Sequence, residues 1–170
     1  MKIDWIGVME ILNSPLELGI RALVLLRRTH PETLDINQLT LMDYCLTHSS
    51  DLGGPDSVVP DVPGRGSELA LKRETLELGV RLMMRAGMID LAVTPAGFEY
   101  RASEEAQAYL QLLGSAHLST LIQTSEWVLA EFSDLDEIQI RRRLSAIMGR
   151  GSFTSIGGQT RTSENEEGLL

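Results

Sequence analysis

The residues best equipped for chemistry are three histidines, one cysteine and a scatter of carboxylates. His48 stands close to Asp43 and Asp51, with Arg65 further on. Such a set could supply a base, an orienting acid and an anion clamp. Composition alone supports that grouping, so no catalytic residue is assigned and a non-enzymatic protein is expected. His30, His48 and His117 are widely separated, and neither HExxH nor CxxC occurs. Zinc needs several converging ligands, so these histidines read as helix-end or surface residues. Gly53-Gly54 is not followed by Gly-Lys-Ser/Thr, so no phosphate-cradling loop is present and no cofactor is expected. Cys45, between Tyr44 and Leu46, reads as a small core hydrophobe. A single thiol makes no internal disulfide, which fits a reducing, cytoplasmic setting.

The basic residues admit two readings. Arg65, Lys72, Arg73, Arg81 and Arg85 lie on one long helix and its approach, against Glu68, Glu74 and Glu77. A small positive excess there could meet phosphates. The same residues also suit a solvated face, with Glu77 and Arg81 at i, i+4 spacing. Arg141, Arg142 and Arg143 form a second cluster, open to DNA or an acidic partner. Consecutive residues point in different directions around a helix, so pairing of Arg142 or Arg143 with Asp134 or Asp136 is equally open. The net charge of −9 and pI near 4.8 weigh against a general nucleic-acid binder. Trp5 and Trp127 read as core or interface anchors, and Trp127, if exposed, as a partner-binding hot spot.

The element that organises the chain is the stretch from Ser67 to Met88. Leu69, Leu76, Val80 and Met83 set an apolar stripe at the helical period. Ser67 is expected to cap this helix and Gly87 to end it. Ile89–Val93 and Phe98–Ala102 then read as two short strands joined by Thr94-Pro-Ala-Gly97. Earlier, Ser14-Pro-Leu-Glu17 predicts a capped helix running to about Arg28, buried on more than one side. A second helix is expected over Ile36–Thr47. Residues 49–66 carry three prolines and form a loop far longer than a helix-turn-helix connection, with no helix expected in it. Beyond the strands, Ser103-Glu-Glu-Ala should cap another helix. Further helices are expected from Leu118 to Phe132 and from Ser133 to Met148.

The expected fold is mainly α: a winged-helix-like core, made of helices plus a short β-hairpin wing, with additional C-terminal helices. Its parts are an N-terminal arm (1–12), the core (13–102), a helical extension (103–148) and a flexible tail (149–170). The apolar lead-in around Trp5 and Val8 is interrupted by Asp4 and gives neither a signal peptide nor a membrane anchor.

Several runs together carry a resemblance: Asn13–Arg21, Leu39–Ser49 with the Gly-Gly-Pro loop after it, Gly66–Glu74, Gly97–Ser103 and Glu126-Trp-Val128. Their order resembles the middle component of bacterial ABC-three-component systems. That group includes the small third subunit of Lamassu-type anti-phage and anti-plasmid defence. The resemblance spans about Asn13 to Met148, and none of its motifs is catalytic. It implies a non-enzymatic accessory subunit beside a coiled-coil ATPase resembling the structural-maintenance-of-chromosomes (SMC) proteins, with an effector, often a nuclease. Such subunits often end in a tryptophan-containing segment, which Gly149–Phe153 lacks.

On this reading Asp51, Arg65, Glu68, Lys72, Arg73 and Trp127 are the candidate partner-binding residues. Arg81, Arg85, Arg141, Arg142 and Arg143 are the candidate DNA contacts, made through the complex, and no membrane contact is expected. A free-standing winged-helix transcription regulator is the alternative, binding DNA through the long helix.

Overall fold

In the computed structural model the described residues are 11–58 and 65–148, with the side chains of 65–70 and 147–148 excepted. Most of the N-terminal arm, including Trp5, the middle of the long loop and the tail lie outside the described residues.

Helix α1 (Pro15–Thr29) starts where the cap signal places it. Ser14 Oγ accepts from Glu17 N at 3.3 Å, and Pro15 occupies the first position, where its missing N–H costs nothing. The reciprocal half of the expected capping box does not form. Glu17 instead turns its carboxylate to His117 at 2.7 Å and Arg21 at 3.8 Å. Leu18 and the run Ala22–Leu26 are all buried, so α1 is enclosed on several sides. Helix α2 (Ile36–Thr47) is capped by Asp35, whose carboxylate accepts from Asn37 N and Gln38 N, while Gln38 answers to Asp35 N. Every residue from Leu39 to Thr47 is buried.

The loop after α2 departs from expectation. Ser49–Leu52 form a 3-10 turn, closed by Gly53 at φ +80°, where a side chain would be strained. Helix α3 (Arg65–Arg85) begins two residues before Ser67, which therefore lies inside the helix rather than capping it. Gly87 ends α3 as expected: at φ +75° it lets Met88 N reach Met83 O. Leu76, Val80 and Met83 are buried as the stripe requires.

Strands β1 (Ile89–Thr94) and β2 (Gly97–Ala102) pair antiparallel, with Ile89 opposite Ala102, Leu91 opposite Tyr100 and Val93 opposite Phe98. Leu34, in the α1–α2 connection, joins them: its N–H donates to Tyr100 O at 2.9 Å and its carbonyl accepts from Tyr100 N at 2.8 Å. Helices α4 (Ala106–Leu113), α5 (Ala116–Phe132) and α6 (Glu137–Met148) complete the described fold. Ser103 does not cap α4. Its hydroxyl is buried with no hydrogen-bond partner among the described residues, and Glu105 occupies the cap position. Ser115 caps α5, and Ser125, which breaks the apolar stripe of that helix, is buried and bonded to Ile122 O. The architecture is thus a helical core plus a β-hairpin.

Helices α1 and α3 approach closely in the core. A Cβ on Gly19 would lie 2.7 Å from Gly79 O. One on Gly79 would overlap the Pro15 carbonyl and lie 2.6 Å from Gly19 N. The two helices touch backbone to backbone, which only glycine allows.

A buried charge centre and a candidate partner-binding surface

Asp43 lies at the middle of the helical core with 0% exposure. A buried carboxylate needs partners, and two other helices supply them. From α1, the equally buried Arg21 donates Nε to Oδ1 at 2.6 Å and Nη2 to Oδ2 at 3.1 Å, a two-pronged fork. From α3, Lys72 Nζ stands 3.3 Å from Oδ2. Each cation is bound further. Arg21 Nη1 donates to Leu12 O at 2.7 Å. Lys72 donates to Thr47 Oγ1 at 2.9 Å and lies 5.6 Å from the Tyr44 ring centre. Burial alone would push the Asp43 carboxyl up. The Arg21 guanidinium and Lys72 ammonium outweigh that and hold it below the usual carboxylate range.

This centre accounts for residues that sequence chemistry set apart. Asp43 is engaged by Arg21 and Lys72. His48 is buried and stacks on Tyr44 with ring centres 4.4 Å apart, its Nδ1 3.0 Å from Thr47 Oγ1. Lys72, expected at a partner surface, is 5% exposed and belongs to the core. Cys45 is the expected core hydrophobe, and burial pushes its thiol up to about 12. Among the described residues no three His, Cys, Asp or Glu side chains converge to hold a metal. No described helix is long and apolar enough to cross a membrane.

The other expected contact residues are dispersed. Asp51 is half-buried in the 3-10 turn. Arg65 and Glu68 lie in the first turn of α3, and their side chains are outside the described residues. Arg73, half-buried, pairs with Glu77 at 2.9 Å and donates to Asn37 Oδ1 at 3.2 Å. Glu77 therefore takes Arg73 rather than the Arg81 expected from spacing. Trp127 is half-buried: it meets Phe132 edge-on at 5.9 Å, and a Cβ on Gly54 would come within 2.6 Å of its indole. That contact seats the loop on α5. Arg141 pairs with Glu137 at 2.8 Å. Arg143 pairs with Glu131 at 2.7 Å and covers the Phe132 ring, so its partner is neither Asp134 nor Asp136. Arg142, Arg81 and Arg85 are exposed.

One surface does converge. The start of α2, the exposed side of α3 and the hairpin enclose a groove of about 370 Å³ lined by Asp35, Asn37, Arg73, Glu77, Arg81, Phe98 and Tyr100. Strand alternation places Ile89, Leu91 and Val93 on one hairpin face with Phe98, Tyr100 and Ala102. Burial falls along that face. Ile89 and Ala102 are each 2% exposed, whereas Val93 is 77% and Phe98 67% exposed at the tip. The opposite face carries the polar residues Asp90, Thr94, Glu99 and Arg101, with Arg101 3.7 Å from Asp90. Sequence reading did not single out Val93 and Phe98, the two exposed apolar residues at the tip. Their signal is an apolar pair at the end of a two-stranded ribbon.

No curated protein and no solved structure matches the chain. Residues 11–152 match the family described as ABC-three component (ABC-3C) system Middle Component 2. The matched span takes in every element from α1 to α6, the buried charge centre and the hairpin, and the chain belongs to that family.

Proposed function

We propose that this chain is a non-catalytic accessory subunit of a bacterial defence complex of Lamassu type. It binds and regulates an SMC-like coiled-coil ATPase that controls an effector such as a nuclease, and it acts in the cytoplasm. Family membership supports a partner among the other components of such a system. The single observation that favours a protein partner is the hairpin tip, where Val93 and Phe98 present an uncovered apolar face beside the α3 groove. The order helix, Leu34 bridge, helix, helix, hairpin supports a winged-helix reading of the core. On a DNA-reading winged helix the exposed side of α3 would carry polar groups aimed at base edges. Here that side exposes Leu71, Leu78 and Leu82, which weighs against the transcription-regulator alternative. Arg85 and Arg142, both exposed, are left for DNA phosphates within the complex.

The test is a tagged pull-down from the native host followed by mass spectrometry, with a Val93→Asp/Phe98→Asp variant and an Arg85→Glu/Arg142→Glu control. Recovery of a coiled-coil ATPase with wild type and the control, and its loss with the hairpin variant, is the expected pattern. Recovery of the protein alone, together with tight binding to one DNA sequence, would overturn the assignment.

A further inference from the structure

We infer that the exposed face of α3 joins a second copy of this chain as an antiparallel helix pair. Leu71, Thr75, Leu78 and Leu82 follow one another at four, three and four, the spacing of a coiled-coil seam. Leu71 is 67% exposed, Leu78 53% and Leu82 41%, although Leu76, Val80 and Met83 on the core-facing side of the same helix are buried. An α3 with a second apolar stripe has a second helix to meet.

The flanking charges choose the occupant. Glu74 and Arg81 stand seven apart on the same side of the seam, both exposed, and neither has an ion-pair partner among the described residues. In an antiparallel pair, residues at this position face their own counterparts on the other helix. With Leu71 set against Leu82 and Thr75 against Leu78 of the second copy, Glu74 of each copy meets Arg81 of the other. The pattern is complementary to itself, as a two-fold interface requires. A depression of about 230 Å³ lined by Asn13, Leu18, Leu71, Lys72 and Thr75 opens at the end of the seam. It is placed to receive Leu82 of the second copy. Leu16, 51% exposed at the start of α1 next to the Gly19–Gly79 crossing, widens the apolar area. The leucines supply the affinity and the charge pairs the orientation, since exposed ion pairs contribute little to affinity.

This surface borders the hairpin groove at Arg81 but does not include Val93 or Phe98, so the Glu74 and Leu78 variants report on self-association and the hairpin variant on ATPase binding. The experiment is light scattering behind size exclusion on the full chain over a concentration series. Wild type is expected to pass from monomer to dimer as concentration rises. Glu74→Arg and Arg81→Glu should each raise the dissociation constant roughly tenfold or more by turning both attractive pairs repulsive. An equimolar mixture of the two variants should dimerise again, because every pair then joins opposite charges. Leu78→Asp should remain monomeric throughout. A wild type that stays monomeric up to about 100 μM overturns the inference. So does a dimer indifferent to these substitutions, or a mixture that fails to recover.

Discussion

Replacing Asp43 by asparagine tests the energetic core of this fold. The substitution keeps shape and volume but removes the charge that Arg21 and Lys72 share. Two buried cations are then left on either side of a neutral amide. At a separation of roughly 6 Å and an effective dielectric near 20, two like charges repel by about 3 kcal/mol. The amide also offers one acceptor oxygen where the carboxylate offered two, so the Arg21 fork loses a prong. Breaking a buried pair by removing one partner typically costs about 3–5 kcal/mol, and with both cations fully enclosed the upper part of that range is expected here. Urea denaturation followed by circular dichroism measures the loss directly. Lys72→Met provides the internal comparison. It leaves the two-pronged Arg21–Asp43 pair whole and should cost less, about 1–3 kcal/mol. A triple replacement, Arg21→Met with Asp43→Leu and Lys72→Met, removes all three charges and should lose less than Asp43→Asn alone. If Asp43→Asn costs under about 1 kcal/mol, or if Lys72→Met is the more damaging, the charge centre does not work as described.

Because Asp43 is held below the ordinary carboxylate range when folded, its contribution is complete above the unfolded value near 4 and drains as pH falls through the folded value. The urea midpoint of wild type should therefore fall below about pH 4 more steeply than that of the triple variant, and parallel acid profiles would refute this. Gly79→Ala should destabilise by about 1–3 kcal/mol or more, since the added methyl meets the backbone of α1 rather than a side chain that can swing away; thermal melts measure it. Cys45, buried and raised to about 12, should resist iodoacetamide at pH 8 until urea unfolds the protein, and label in step with the loss of helical signal.

Local rules reached the elements because their signals are short-range. Ser14 followed by proline placed the start of α1, the span Ile36–Thr47 was read as observed, and Thr94–Gly97 located the turn between strands. Long-range pairing was less accessible. Arg21, Asp43 and Lys72 come from three helices, and no local pattern joins them. Yet the sequence held two hints. Asp43 is the only charge between Leu39 and Thr47, a segment otherwise apolar enough to be wholly enclosed. Lys72 sits one turn before Leu76 and two before Val80, on the buried stripe itself rather than beside it. Reading Lys72 with its neighbours in Arg65–Arg85 as a basic surface treated charge as a sign of exposure. A carboxylate elsewhere in the core reverses that inference. Glu17 shows the same competition on a smaller scale. Its capping role was forgone because the side chains of Arg21 and His117 lay within reach of its carboxylate.

The Leu34–Tyr100 bridge bears on how the hairpin behaves over time. Two reciprocal hydrogen bonds fasten Tyr100 of the hairpin to the residue before the α2 cap, as a single β-bridge beside the two strands. The base cannot open without releasing that cap, so the amides of Leu34, Tyr100 and the first turn of α2 should exchange with solvent as one cooperative unit. The strand ends beyond Leu91 lie outside this clasp and should exchange separately. A partner that grips the tip thus meets an element already ordered at its root. Most of the conformational entropy at the root of the hairpin is surrendered in folding rather than at the moment of binding, so contacts made there convert more fully into affinity.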